Sequence, residues 1–183
     1  MRAGDDAERS DEVGACGGER RHSGAPATVV VTAAAAELLK LLQDRHGPVM
    51  FHQSGGCCDG SSPMCYPRGD FLVGDRDILL GVLDVGADGV PVWISGPQYQ
   101  AWKHTQLVID VVPGRGGGFS LEAPEGVRFL SRGRVFSDGE QAGLRAAPVI
   151  TGAAYERGAR PSTRGQVVDT DRGAALRTCP PAR

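Results

Sequence analysis

Between Thr28 and Phe136 the apolar residues recur at strand and helix spacings, and on either side of that window they do not. This contrast confines a folded core to the middle of the chain. The flanks, residues 1–27 and 137–183, are dominated by Gly, Arg, Ala and acidic residues. They hold too few large apolar side chains to offset the entropy of ordering. They read as a disordered tail and a mostly disordered tail around one globular domain at 28–136. Within the second flank, Ala147–Tyr155 suggests one short element.

Inside the window, the β-branched run Thr28–Val31 predicts a strand. Thr32 then offers a hydroxyl to cap a helix over Ala33–Arg45, a stretch of strong helix formers. Ala35, Leu38, Leu41 and Leu42 share one face, Leu39 widens it, and Gly47 and Pro48 stop the helix. Pro48–Gln53 predicts a strand running into a glycine-rich loop. Asp77–Val85 and Val90–Ser95 predict two strands joined by a tight turn at Gly86–Gly89. Gly96–His104 predicts a short helix with Tyr99 and Trp102 on one side. Gln106–Val112, Phe119–Glu122 and Gly126–Arg134 predict further strands. This order argues for an α+β fold: a single compact domain with a mixed or antiparallel sheet, one N-terminal helix and one short helix. Aromatic residues are only 5% of the chain, so aliphatic side chains must fill the core.

A formal net charge of -2 and the lack of a basic cluster argue against a nucleic-acid surface. No apolar run approaches the roughly 20 residues that a membrane-crossing helix needs. The first residues hold no apolar stretch for a signal peptide, so the reading is a cytoplasmic protein whose thiols stay reduced. An exposed edge strand would allow a homodimer.

Chemistry concentrates at Ser54–Cys65. Gly55, Gly56 and Gly60 permit close backbone approach, and successive N–H groups there can form an anion-binding nest. Such a nest lowers a neighbouring thiol's pKa and favours thiolate, the form that binds metal or attacks an electrophile. Cys57, Cys58 and Cys65 supply three sulfurs and His52 a nitrogen, a set suited to zinc, iron or an iron–sulfur cluster. Gly55 and Gly56 would cradle the bound group. No CxxC pair is present, and adjacent cysteines point in different directions. Buried, inert cysteines and a local disulfide are the bland alternatives. The second glycine-rich segment, Pro113–Phe119, lacks a P-loop signature. It reads as a hairpin or bulge, or as a second wall of the site with Arg115 contacting an anion. His104 could complement a helix dipole or act in the site, and Asp110, within an apolar run, needs a partner such as Arg115. No GxSxG elbow occurs.

The stretches HGPVMFHQSGGCCDGSSPMCYPRGDF and WKHTQLVIDVVPGRGGGFSLEAPEGVRFLSR closely resemble the bacterial domain-of-unknown-function family 779, over about Val29–Phe136. Members are often encoded beside aldehyde dehydrogenases, which implies such an enzyme as partner. A fainter pattern resembles the A-type iron–sulfur carrier (HesB-like) domain: Val31-Thr32-Ala33, Gly55-Gly56-Cys57, Ile109-Asp110 and Gly117-Gly118-Phe119 with Pro124. The carriers' C-terminal Cys-Gly-Cys pair is missing, and Cys179 alone replaces it poorly. Three functions follow as expectations. One is a metal- or cluster-binding accessory protein in aldehyde or alcohol metabolism. Another is a small thiol enzyme with Cys57 or Cys58 as nucleophile and His52 or His104 as base. The last is a cofactor-free module that binds an aldehyde dehydrogenase.

Overall fold

Thr32 ends a strand and starts a helix. Strand β1 (Val29–Thr32) is buried at all four positions. Helix α1 (Ala33–His46) begins where the Thr32 hydroxyl accepts the Ala35 N–H at 3.3 Å. It ends at Gly47, whose φ of 75° is a conformation that favours glycine. The computed structural model describes residues 25–53 and 62–169. Residues 1–24, 54–61 and 170–183, with Cys16 and Cys179, lie outside the described residues.

The chain continues through β2 (Val49–Gln53), β3 (Pro63–Pro67), β4 (Ile78–Leu83), β5 (Val90–Ile94), α2 (Gly96–Trp102), β6 (Thr105–Pro113), a 3-10 turn (Ala123–Glu125) and β7 (Val127–Val135). Then follow α3 (Asp138–Arg145), β8 (Ile150–Thr151), α4 (Gly152–Glu156), β9 (Arg164–Gly165) and β10 (Val167–Val168). The fold mixes helices with two open sheets rather than the one sheet expected. One has the order β10-β1-β6-β7; the other has the order β3-β2-β5-β4-β8, with β9 beside β4. Both are mixed: β1 lies parallel to β6 and β10, and β2 parallel to β5, while β2–β3, β4–β5, β4–β8 and β6–β7 are antiparallel.

The main core lies between α1 and the inner faces of both sheets. Ala35, Ala36, Leu39 and Leu42 meet Val29, Val31, Phe51, Val92, Ile109 and Phe129 there. Each large aliphatic side chain buried in this way contributes about 1.5–3 kcal/mol relative to exposure. The expected helix stripe needs adjustment: Leu41 is exposed, and Ala36 takes the inward place. A second cluster covers the opposite face of the larger sheet, where Met50, Leu79, Val82, Trp93 and Ile150 pack with Tyr66, Phe71 and Tyr155.

The stretch after Phe136, expected as a mostly disordered tail, is folded through Val168. Its stabilising features are local and polar, which is why apolar periodicity missed them. Ser137 and Glu140 form a reciprocal capping box at the start of α3. Further on, β9 pairs with β4 and β10 with β1, so one short segment touches both sheets. Gly165 makes this possible, because a Cβ there would fall 2.1 Å from the Val29 carbonyl oxygen.

The β6–β7 hairpin pairs nine residues on each side. Its connection closes with the Gly114 N–H donating to the Gly126 carbonyl at 3.1 Å, Gly126 adopting φ 70°. The second glycine-rich segment therefore serves hairpin geometry. Phe119–Glu122, expected as a strand, forms turns inside that connection, where Ser120 and Glu122 bond side chain to side chain. Asp110 pairs with Arg132 at 3.0 Å, not with Arg115, and also accepts the Thr32 hydroxyl at 2.9 Å. Arg132 stands on β7 two residues beyond Leu130, the residue opposite Asp110, which is a favourable diagonal. No helix among the described residues is long and apolar enough to cross a membrane.

Candidate functional site

The antiparallel β2–β3 pair carries two of the four expected metal ligands and separates them. Cys65 stands opposite Phe51, and His52 stands opposite Met64. Opposed residues share a face and successive residues alternate, so Cys65 points into the main core and His52 to the other side of the sheet. One ion cannot take both. Gly55, Gly56, Cys57 and Cys58 fall on residues outside those described.

Cys65 is fully buried. Its N–H donates to the Ser120 hydroxyl at 2.8 Å, and its carbonyl accepts the Leu121 N–H at 3.0 Å. Burial pushes the Cys65 thiol well above its ordinary range, and the nearby Glu122 carboxyl pushes it further. A thiol in such a place is neither a nucleophile nor a ready ligand. The bland reading of this cysteine, an inert core residue, is the one the geometry supports.

Beside it lies a polar cluster that sequence reasoning did not assemble. Ser120 donates its hydroxyl to Glu122, whose other oxygen lies 3.5 Å from the Phe129 N–H. Burial raises the Glu122 pKa; the hydrogen bonds from Ser120 and the backbone lower it and only partly oppose that. Gly116 packs directly on this carboxyl, since a Cβ there would lie 2.9 Å from Glu122 Oε1. Gln53, the last residue of β2, is also fully buried; its side-chain carbonyl accepts the Ser131 hydroxyl at 2.8 Å, and its amide nitrogen has no hydrogen-bond partner among the described residues. Gly117, in the second glycine-rich segment, faces the Met64 methyl on β3. Arg115 itself is exposed in that connection.

His52 has a different setting. Its ring packs against Phe71 at 4.6 Å with a 34° tilt, and Phe71 stacks on Tyr66 at 4.8 Å. Its Nε2 lies 3.4 Å from Asp77 Oδ2, in ion-pair range without hydrogen-bond alignment. Asp77 is itself held by the Gly74 N–H at 2.9 Å. Burial lowers the His52 pKa, and the attraction of Asp77 offsets that only in part. The imidazole is therefore neutral near pH 7, the form that ligates metal. With Nε2 turned to Asp77, Nδ1 is the nitrogen that would coordinate. A carboxylate behind a histidine is the usual second partner of a metal-binding imidazole. His104, by contrast, is exposed beyond α2. Among the described residues, no group of three or more His, Cys, Asp and Glu side chains could hold a metal ion. Of the expected sulfur ligands, Cys57 and Cys58 lie outside the described residues, and Cys65 faces the other side of the sheet from His52.

The family model described as "Domain of unknown function (DUF779)" matches residues 38–135. The chain belongs to this family. The match runs from α1 to the end of β7 and so takes in β2, β3, His52, Cys65 and the Glu122 cluster. No curated protein and no solved structure matches the chain. The fainter HesB-like resemblance therefore gains no support from a structural relative, and what holds for this DUF779 member is read from its own residues. Outside the match, β1 and the first residues of α1 precede it, and α3, β8, α4, β9 and β10 follow it.

Proposed function

We propose that this DUF779 protein is a metal-binding accessory protein, in which His52 and the thiolates of Cys57 and Cys58 hold zinc, iron or an iron–sulfur cluster. The observation that carries the reading is the His52 imidazole, half-buried, neutral and backed by Asp77 at 3.4 Å, two residues before the segment that bears both thiols. Imidazole with thiolates suits zinc and iron, and the carboxylate beside the ring raises its basicity. Cys65 is left out of the ligand set, because its buried thiol faces the core on the opposite side of the sheet. The place of the protein in aldehyde or alcohol metabolism, with an aldehyde dehydrogenase as partner, rests on the family resemblance.

The same His52–Asp77 pair would orient a base for a nucleophilic Cys57 or Cys58, so a thiol enzyme acting on an aldehyde is the second reading. Elemental analysis of protein purified anaerobically separates the two. Zinc or iron held stoichiometrically, and lost in Cys57→Ser and His52→Ala but kept in Cys65→Ala, supports the accessory protein. Metal-free protein with one cysteine alkylated rapidly below neutral pH supports the thiol enzyme. Metal-free protein with unreactive cysteines and intact dehydrogenase binding overturns both and leaves a cofactor-free module.

A further inference from the structure

A cleft of about 190 Å³ opens away from His52, Cys65 and Glu122, where the two sheets come together. Its floor is Val29 of β1 with Ile78, Leu80 and Gly81 of β4. Gly81 is needed there, since a Cβ would lie 2.9 Å from a Val29 methyl. One wall is α2 and the residue after it, with Tyr99, Trp102 and Lys103. The opposite wall comes from the folded stretch after β7, through Leu144–Ile150 and Arg160–Thr163. This wall, and Ala25–Val29, fall outside the residues matched by the family model, while Ile78–Gly81 and the α2 wall lie within it.

The charge of the lining is one-sided. Among the described residues it contains Lys103 and Arg160 and no Asp or Glu. Lys103 donates to Gln100 at 2.9 Å, and among the described residues no carboxylate of the cleft neutralises its charge. Arg160 is held in place by the Tyr155 ring, 3.8 Å from its guanidinium carbon, and by the Tyr155 and Ala159 carbonyls at 2.7 Å. Those bonds use one of its nitrogens and leave other donors of the fork. Tyr99 is half buried, and burial raises its pKa, so the phenol stays a neutral donor. An apolar floor, two aromatic side chains and two cations, with no anion among the described lining residues, form a receptor for an amphipathic anion.

We propose that this cleft binds a small organic carboxylate, its apolar body over Ile78, Leu80 and Trp102 and its charge toward Lys103 and Arg160. The volume is below the roughly 300–1,000 Å³ of pockets for drug-sized ligands, which limits the guest to a single ring or a short acyl chain. The site is independent of the metal reading, and its test does not depend on metal content.

Calorimetric titration of the full-length protein with hexanoate, and separately with the uncharged hexanamide, decides the matter. Hexanoate is expected to bind saturably and at least about tenfold more tightly than hexanamide, the factor given by one charge-assisted hydrogen bond of about 1.4 kcal/mol. Lys103→Gln, a change at an exposed residue outside the core, is expected to cut hexanoate affinity about tenfold and leave hexanamide unaffected. Trp102→Ala is expected to weaken both. Absence of saturable hexanoate binding, or equal affinity for acid and amide, overturns the proposal. So does a Lys103→Gln variant that binds hexanoate as the parent does.

Discussion

Replacing Cys65 by alanine should destabilise the fold and leave metal content untouched. The side chain is fully buried opposite Phe51 and beside Glu122. Losing its sulfur forfeits about 1 kcal/mol of transfer free energy. A residual cavity of roughly 20 Å³ adds about 0.5 kcal/mol at the measured cost per unit volume. The sum is near 1.5 kcal/mol. With an m-value of about 2 kcal/mol/M, ordinary for a small protein in urea, the unfolding midpoint should fall by roughly 0.7 M. Equilibrium urea denaturation followed by far-UV circular dichroism reads this directly. Metal loss from a Cys65→Ala protein that keeps its midpoint would refute the reasoning, because it would make Cys65 a ligand and not a core residue. Rapid alkylation of Cys65 in the native protein would refute it too.

Three further outcomes follow from the same structure. Asp77→Asn should lower the His52 pKa further, since Asp77 is the group that raises it, and should weaken metal binding by about 10–100-fold; proton NMR titration and competition with a chelator measure the two. Glu122→Gln should stabilise the protein at pH 7. The native Glu122 pKa is raised, so its protonated form supports the fold below about pH 4.3 and that support is lost as pH rises through the native value; urea midpoints of parent and variant should therefore converge in acid. Asp110→Ala should cost about 2–4 kcal/mol in urea unfolding, because it strips acceptors from the Thr32 hydroxyl, the Val111 N–H and the Arg132 guanidinium together. A cost below about 0.5 kcal/mol, the range of an ordinary surface substitution, would show that solvent replaces the whole network.

Much of the fold was legible because it obeys simple periods. The Thr32 cap, the α1 helix and its Gly47 stop, and the strands over Val49–Gln53, Ile78–Leu83, Val90–Ile94 and Thr105–Pro113 all follow local rules that the tertiary structure keeps. Strand β3 did not show, because Pro63 and Pro67 bound it and proline argues against a strand. It is tolerated there because β3 is an edge with one hydrogen-bonded neighbour in its sheet. The stretch after Phe136 was misread because it folds through a capping box and two-residue strand pairings, which leave almost no apolar period. The geometry around the expected ligands was not legible. Spacing alone put His52 and Cys65 within reach of one ion, and the pleat of a single hairpin sends them to opposite faces. The buried set Gln53, Ser120 and Glu122 gave one signal only: polar residues inside otherwise apolar or turn-forming stretches, with nothing to say that they meet.

The central claim is a centre held by one nitrogen and at least two sulfurs. X-ray absorption at the metal edge of anaerobically isolated protein tests it most directly. The account predicts sulfur scatterers near 2.3 Å and a nitrogen near 2.0–2.1 Å, the usual zinc–ligand distances, with the nitrogen shell reduced in His52→Ala. A bound metal surrounded only by oxygen and nitrogen, or a nitrogen shell that survives the loss of His52, would contradict it.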